Sequence, residues 1–127
     1  MKKTILSAAF AGLIGLTASL SAVAGDPAVL RVIVVQTADV PGYVHEVGNL
    51  EALFKKSGQQ VTVRVWRATY AGADTGAIVA SIEVPSLTAL DKLNDAIRTN
   101  PEIAAEMKKI NGMRKIVSDS LYESLSP

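Results

Sequence analysis

The chain has 127 residues, with 13 basic and 12 acidic side chains, one His and no Cys. This length fits a single domain. The near-neutral charge, without a basic stripe, argues against nucleic acid as a partner. The lack of cysteine excludes thiol catalysis, Cys-ligated metals and disulfides, so we expect stability to come from packing and self-association.

The N-terminus has the three parts of a secretory signal peptide in order. A basic start is followed by an apolar run over Ile5–Leu20 and by the small-x-small sequence Ala22-Val23-Ala24. We predict residues 1–24 as a secretory signal peptide and residues 25–127 as one domain, exported to the periplasm or secreted. Cleavage after Ala24 leaves no stable membrane insertion; the alternative is an uncleaved N-terminal anchor.

The first half of this domain predicts one strand and one helix. Residues 28–37 are β-branched and almost continuously apolar, which is typical of a covered strand. Asp39 and Pro41 begin a helix over residues 43–56. Its apolar stripe is Tyr43, Val47, Leu50 and Phe54, and the single histidine, His45, lies on the opposite, solvent-facing side.

The second half predicts a hairpin, a broken helix and a last strand. Residues 61–70 and 77–84 alternate in polarity and are joined by a glycine-bearing turn. Ser86 caps a helix, which Pro101 interrupts and restarts. A strand over residues 113–122 follows. The order βαββαβ predicts an α+β, ferredoxin-like fold: an antiparallel four-stranded sheet with the helices on one face.

The bare face of this sheet is the most informative surface. Val61, Val63 and Val65 should point to the helices, which leaves Arg64 and Trp66 on the open side. A symmetric turn places Arg64 opposite Glu83 and Trp66 opposite Ser81. The same alternation adds residues from the first and last strands, and the predicted cavity-lining, ligand-binding set is Arg31, Arg64, Trp66, Ser81, Glu83, Ser118 and Ser120.

An apolar face of this kind favours a second copy of the chain as its cover, giving a homodimer with an enclosed cavity. Two interpretations of its residues stay open. Arg64 and Glu83 either orient a polar ligand or form a structural ion pair. Trp66 either stacks a flat ligand or anchors the interface.

The element order and one run of residues resemble the dimeric α/β-barrel superfamily, which includes antibiotic-biosynthesis-monooxygenase-like proteins. The run is Arg64-Val65-Trp66-Arg67, Ala71-Gly72, Asp74-Thr75-Gly76 and Ile82-Glu83-Val84-Pro85-Ser86. The resemblance implies a dimeric barrel. It also implies, as one activity, a cofactor-independent oxygenase in which Trp66 and Arg64 hold an electron-rich substrate.

No catalytic residue is assigned, and no metal or cofactor is predicted, because the acidic residues form no ligand cluster. Three functions remain. The first is an exported homodimer that binds a small, partly aromatic molecule in the sheet-lined cavity. The second is the monooxygenase-like enzyme, and the third is a structural module whose partner is itself.

Overall fold

The structure is a computed structural model, and it describes residues 26–126. The predicted signal peptide lies outside these residues. Within them are four strands and three α-helices, with a short 3₁₀ helix, Gly72–Asp74, between β2 and β3. The elements are β1 Val29–Gln36, α1 Val40–Lys56, β2 Thr62–Arg67, β3 Ile78–Val84, α2 Leu87–Thr99, α3 Pro101–Gly112 and β4 Lys115–Glu123. The predicted βαββαβ order is confirmed, with the second helix divided at Pro101.

Capping residues define the ends of the helices. Asp39 accepts a hydrogen bond from the amide of Gly42 at 2.9 Å and so begins α1. Gly58 ends α1 with a φ of 88°, a left-handed conformation that favours glycine. Ser86 caps α2, and Asn100 caps α3 just before its first-turn proline. These local signals are legible in the sequence, and each helix begins and ends close to where they predict.

The sheet has the order β2-β3-β1-β4, and every neighbouring pair is antiparallel. Each helical connection therefore links two parallel strands with a third strand between them, which is the ferredoxin-like arrangement. All nine residues of β4, one of the two edge strands, are exposed. On the opposite edge, Glu51 of α1 accepts a hydrogen bond from the amide of Val63 at 2.7 Å.

The core lies between the helices and one face of the sheet. Tyr43, Phe54 and Ile103 are wholly buried there, and every second residue of β1 and β3 points towards them. No helix of the described residues packs on the other face. Alternation along each strand therefore gives the sheet a covered face and an open face. Within residues 26–126, no helix is long and apolar enough to cross a membrane.

Candidate functional site

The strand registers arrange the open face as three rows that cross the sheet from β2 to β4. The rows are Thr62, Glu83, Leu30 and Tyr122; Arg64, Ser81, Val32 and Ser120; and Trp66, Val79, Val34 and Ser118. Each strand forms one column of this array. The two central columns, β3 and β1, are mostly apolar, while the outer column of β2 carries the largest side chains and that of β4 carries two serines. We refer to these twelve residues as the open face.

Trp66 is held in place by two neighbours on the open face. Its indole N–H donates a hydrogen bond of 2.8 Å to Oγ of Ser81. The guanidinium carbon of Arg64 lies 5.8 Å from the centre of the indole ring, within the range of a cation–π contact. Trp66 is still 49% exposed. An immobilised, half-exposed indole offers an aromatic surface at low entropic cost to whatever covers the sheet.

A groove of about 330 Å³ lies against Trp66. It is lined by Leu30, Val32, Thr62, Arg64, Trp66, Val79, Ser81 and Glu83. Its volume falls in the range of small-molecule sites, roughly 300–1,000 Å³. Glu83 also borders two further grooves at the same end of the sheet, of about 480 and 290 Å³. The open face therefore combines a fixed aromatic ring, one cation and one anion around an apolar floor.

Six of the seven predicted lining residues lie on the open face. Ser81, however, is only 8% exposed, and its hydroxyl is engaged by Trp66, so its role is to position the indole. The predicted pairing is wrong by two residues. Arg64 lies opposite Ser81, and Glu83 lies opposite Thr62, because the loop after β2 holds Thr69 and Tyr70 outside the ladder.

The predicted position of Arg31 on the open face is wrong. It lies opposite Ile82, on the face that the helices cover, and binds Asp119 of β4 through two hydrogen bonds of 2.9 and 2.6 Å. This pair raises the pKa of Arg31 and lowers that of Asp119, chiefly through the hydrogen bonds between them. A charged residue is tolerated there because the edge strand leaves the end of the core accessible to water.

Six open-face residues were missing from the predicted set: Leu30, Val32, Tyr122, Thr62, Val34 and Val79. The groove includes the first two, and Tyr122 ends the same row as Leu30. β1 is apolar on both faces, so its alternation gives no sign of which residues lie outside. Val79, which the sequence already placed on this face, lies opposite Trp66.

The covered side of the sheet offers a smaller space. A cavity of about 40 Å³ lies among core side chains, with Arg31 and Arg114 at its border. That volume is far below the roughly 300 Å³ of the smallest typical ligand pockets. Arg114 is engaged there by the hydroxyl of Tyr43 and by Asn111, each at 2.9 Å. The open face is the better candidate site.

One carboxyl pair lies between α1 and α3. Glu46 binds Lys109 at 3.1 Å, and beside it one buried carboxylate oxygen of Glu106 has no partner among the described residues. Burial, and next the neighbouring Glu46, raise the pKa of Glu106. The hydrogen bond from Glu106, and next Lys109, lower the pKa of Glu46. Among residues 26–126, no group of three or more His, Asp or Glu side chains is placed to hold a metal ion.

Comparison with known proteins identifies the fold but no family. No protein-family model matches the chain, and no curated protein matches it. Among solved structures, the chain is similar to a conserved protein of unknown function from Bacteroides thetaiotaomicron, described as a possible oxidoreductase. The two share 9% identity with a TM-score of 0.56, over 78% of this chain and 99% of the other. A de novo designed protein aligns with 12% identity and a TM-score of 0.45, over 80% of this chain and all of that one.

Proposed function

We propose that the open face binds a small, partly aromatic molecule, in a cavity that forms when a second copy of the chain covers the sheet. The observation that carries this proposal is the fixed, half-exposed indole of Trp66 beside a groove of about 330 Å³. Flat ligands stack on an indole that is already immobilised, because less entropy is lost on binding. Arg64 and Glu83 at the rim provide polar recognition.

The second copy is the cover that fits the surface best. The open face carries one cation, Arg64, and one anion, Glu83, so its formal charge is zero and a copy of itself meets no net repulsion. Its four strands span about 25 Å by 19 Å. Two such faces together bury on the order of 1,000 Å², which is near the lower bound for specific interfaces.

We further propose that the protein acts outside the cytoplasm, as a member of the dimeric α/β-barrel superfamily. The support for export is the basic, apolar and small-x-small order of residues 1–24. Expression of the full chain in a bacterial host, followed by fractionation and intact mass measurement, tests this directly. A periplasmic product that begins at Gly25 is expected. An uncleaved product in the membrane fraction contradicts export as a free domain.

A cofactor-independent oxygenase is a second candidate. It is favoured by Arg64 over the indole, a pairing suited to an electron-rich aromatic substrate, and by the description of the Bacteroides neighbour as a possible oxidoreductase. Oxygen uptake in the presence of polyphenols, compared between the natural chain and a Trp66→Phe variant, tests it. No uptake above the buffer rate contradicts it. A structural module, the third candidate, requires a dimer whose interior is filled.

Native mass spectrometry of the protein from its own compartment separates these candidates. A dimer with a co-purifying small mass supports the binding function. Because Trp66 is the only tryptophan, its fluorescence then reports on the open face alone. Adding back the recovered molecule should quench this emission in the natural chain. A dimer that carries no mass and excludes quenchers from Trp66 contradicts ligand binding and favours the structural module.

A further inference from the structure

The open face has a pattern of side-chain sizes that differs between its two outer strands. On β2, the row order from one end of the sheet is Thr62, Arg64, Trp66: small, large, large. On β4, the same rows end in Tyr122, Ser120 and Ser118: large, small, small. The two outer columns are therefore complementary in size, row by row. The proposed dimer brings two copies of this pattern together, so the inference below rests on that proposal.

Two simple twofold arrangements place one open face on another. An axis that runs parallel to the strands exchanges β2 with β4 and keeps the rows. An axis that runs across the strands keeps β2 over β2 and reverses the rows. The sheets then lie about 10 Å apart, close to aligned, so side chains from the two faces interdigitate.

The axis along the strands makes use of the complementary sizes. Arg64 then faces Ser120 of the second copy, Trp66 faces its Ser118, and Thr62 faces its Tyr122. Each of these contacts joins one large and one small side chain at the outer strands, which keeps the two sheets evenly spaced and leaves the grooves beside Trp66 between them.

The axis across the strands gives a worse fit. It places Arg64 against Arg64 of the second copy, and like charges brought together across an interface repel each other and weaken association. It still pairs Tyr122 with Ser118 and Trp66 with Thr62, but in the middle row it sets Ser120 against Ser120, so two small side chains face each other there. Voids between small residues lose packing contacts.

We propose that the second copy covers the open face with its twofold axis parallel to the strands, so that β2 of each chain lies over β4 of the other. Each binding groove beside Trp66 is then completed by the β4 serines of the second copy. Ser118 and Ser120 belong to the ligand-binding site of the neighbouring chain, because they lie three strands away from Trp66 in their own chain.

Cysteine crosslinking tests this orientation cleanly, because the natural chain has no cysteine. The first variant combines Arg64→Cys with Ser120→Cys, and the second combines Thr62→Cys with Tyr122→Cys in case the first is poorly folded. Within one chain, residues of each pair are separated by three strand spacings, or about 14 Å. A short bismaleimide does not bridge that distance, whereas facing thiols across the dimer are within its reach. A covalent dimer is expected from both variants.

Single and mismatched variants provide the controls. Ser120→Cys alone should give no covalent dimer. Arg64→Cys with Leu121→Cys should give none either, because Leu121 is half exposed but lies on the covered side of the sheet. Light scattering on each variant establishes whether it is a dimer before crosslinking.

The outcomes separate this inference from the proposed function. A natural chain that stays monomeric overturns the proposed dimer itself. A dimer in which Ser120→Cys alone crosslinks, and the variant with Thr62→Cys and Tyr122→Cys does not, overturns the orientation and leaves the open-face dimer standing. A dimer that crosslinks in none of these variants also overturns the orientation, because its interface then lies elsewhere.

Discussion

The indole N–H of Trp66 donates to Oγ of Ser81, which lies on the neighbouring strand one row away, at 2.8 Å. The bond runs diagonally across the β2–β3 ladder and fixes the ring over the groove. Ser81 is 8% exposed, so its hydroxyl contributes to the open face through Trp66 and has little surface of its own. The pair is the most specific polar contact on this side of the sheet.

Replacing Ser81 by Ala should release the ring. The lost hydrogen bond costs about 0.5–1.5 kcal/mol of unfolding free energy, and the indole gains rotational freedom. We expect lower steady-state anisotropy of the Trp66 emission and a lower melting temperature. Ser81→Thr retains the hydroxyl and should restore both values. An anisotropy that is unchanged in Ser81→Ala contradicts the positioning role.

Replacing Trp66 by Ala should weaken the dimer. A Trp→Ala change at a fully buried site typically costs about 3–5 kcal/mol of free energy. Only the part that comes from the exposed half of the ring, which a second copy would cover, weakens association. Sedimentation velocity over a concentration series measures the shift towards monomer. Tyr70→Ala is the matched control, since Tyr70 is a fully exposed aromatic residue in the β2–β3 loop. Equal effects from both variants would place the interface outside the open face.

Glu106 should make stability depend on pH above the ordinary pKa of a glutamate. Burial and the neighbouring Glu46 raise the pKa of Glu106. The folded state therefore holds this proton more tightly than the unfolded state, and the resulting stabilisation is lost as pH rises through the raised pKa. Glu106→Gln keeps a neutral side chain at every pH. We expect a higher melting temperature than the natural chain at pH 8 and little difference at pH 4.

Glu102→Gln is the control for this experiment, because Glu102 lies on the same helix with its side chain 65% exposed. Its effect should be small at both pH values. A natural chain whose stability has the same pH profile as Glu106→Gln would show that the Glu46–Glu106 pair does not titrate in this range.

The Arg31–Asp119 pair should have the opposite pH dependence. Arg31 lowers the pKa of Asp119, so the pair stabilises the fold above the ordinary Asp pKa of about 3.9, and the contribution is lost as pH falls further. Both side chains are about a third exposed, which limits the effect to about 1 kcal/mol. Asp119→Asn should lose that amount at pH 7 and match the natural chain at pH 2.

Arg31→Lys provides an independent check on the position of Arg31. Lysine lacks the planar fork that makes two hydrogen bonds to one carboxylate, so a modest loss of stability is expected. Dimer formation and quenching of Trp66 should stay unchanged, because Arg31 lies on the covered side of the sheet. A weakened dimer would contradict this assignment.

The sequence by itself determined the element order and most of the open face. Proline, glycine and capping residues act within a few positions, so Asp39, Gly58, Ser86 and Asn100 mark the helix ends without any tertiary context. Alternation along the hairpin placed Arg64, Trp66, Ser81 and Glu83 on one face, because the side-chain period of a strand is two.

The tertiary structure alone decided the register and the side of Arg31. Arg64 faces Ser81, because the number of loop residues outside the ladder depends on the fold of the whole turn, and a shift of two residues keeps every side chain on its face. β1 is apolar on both sides, so its pattern did not place Arg31. The face on which Arg31 lies is set by its ion pair with Asp119 on β4, which is 88 residues away in the sequence. The pair lies at an edge of the sheet where water still reaches it.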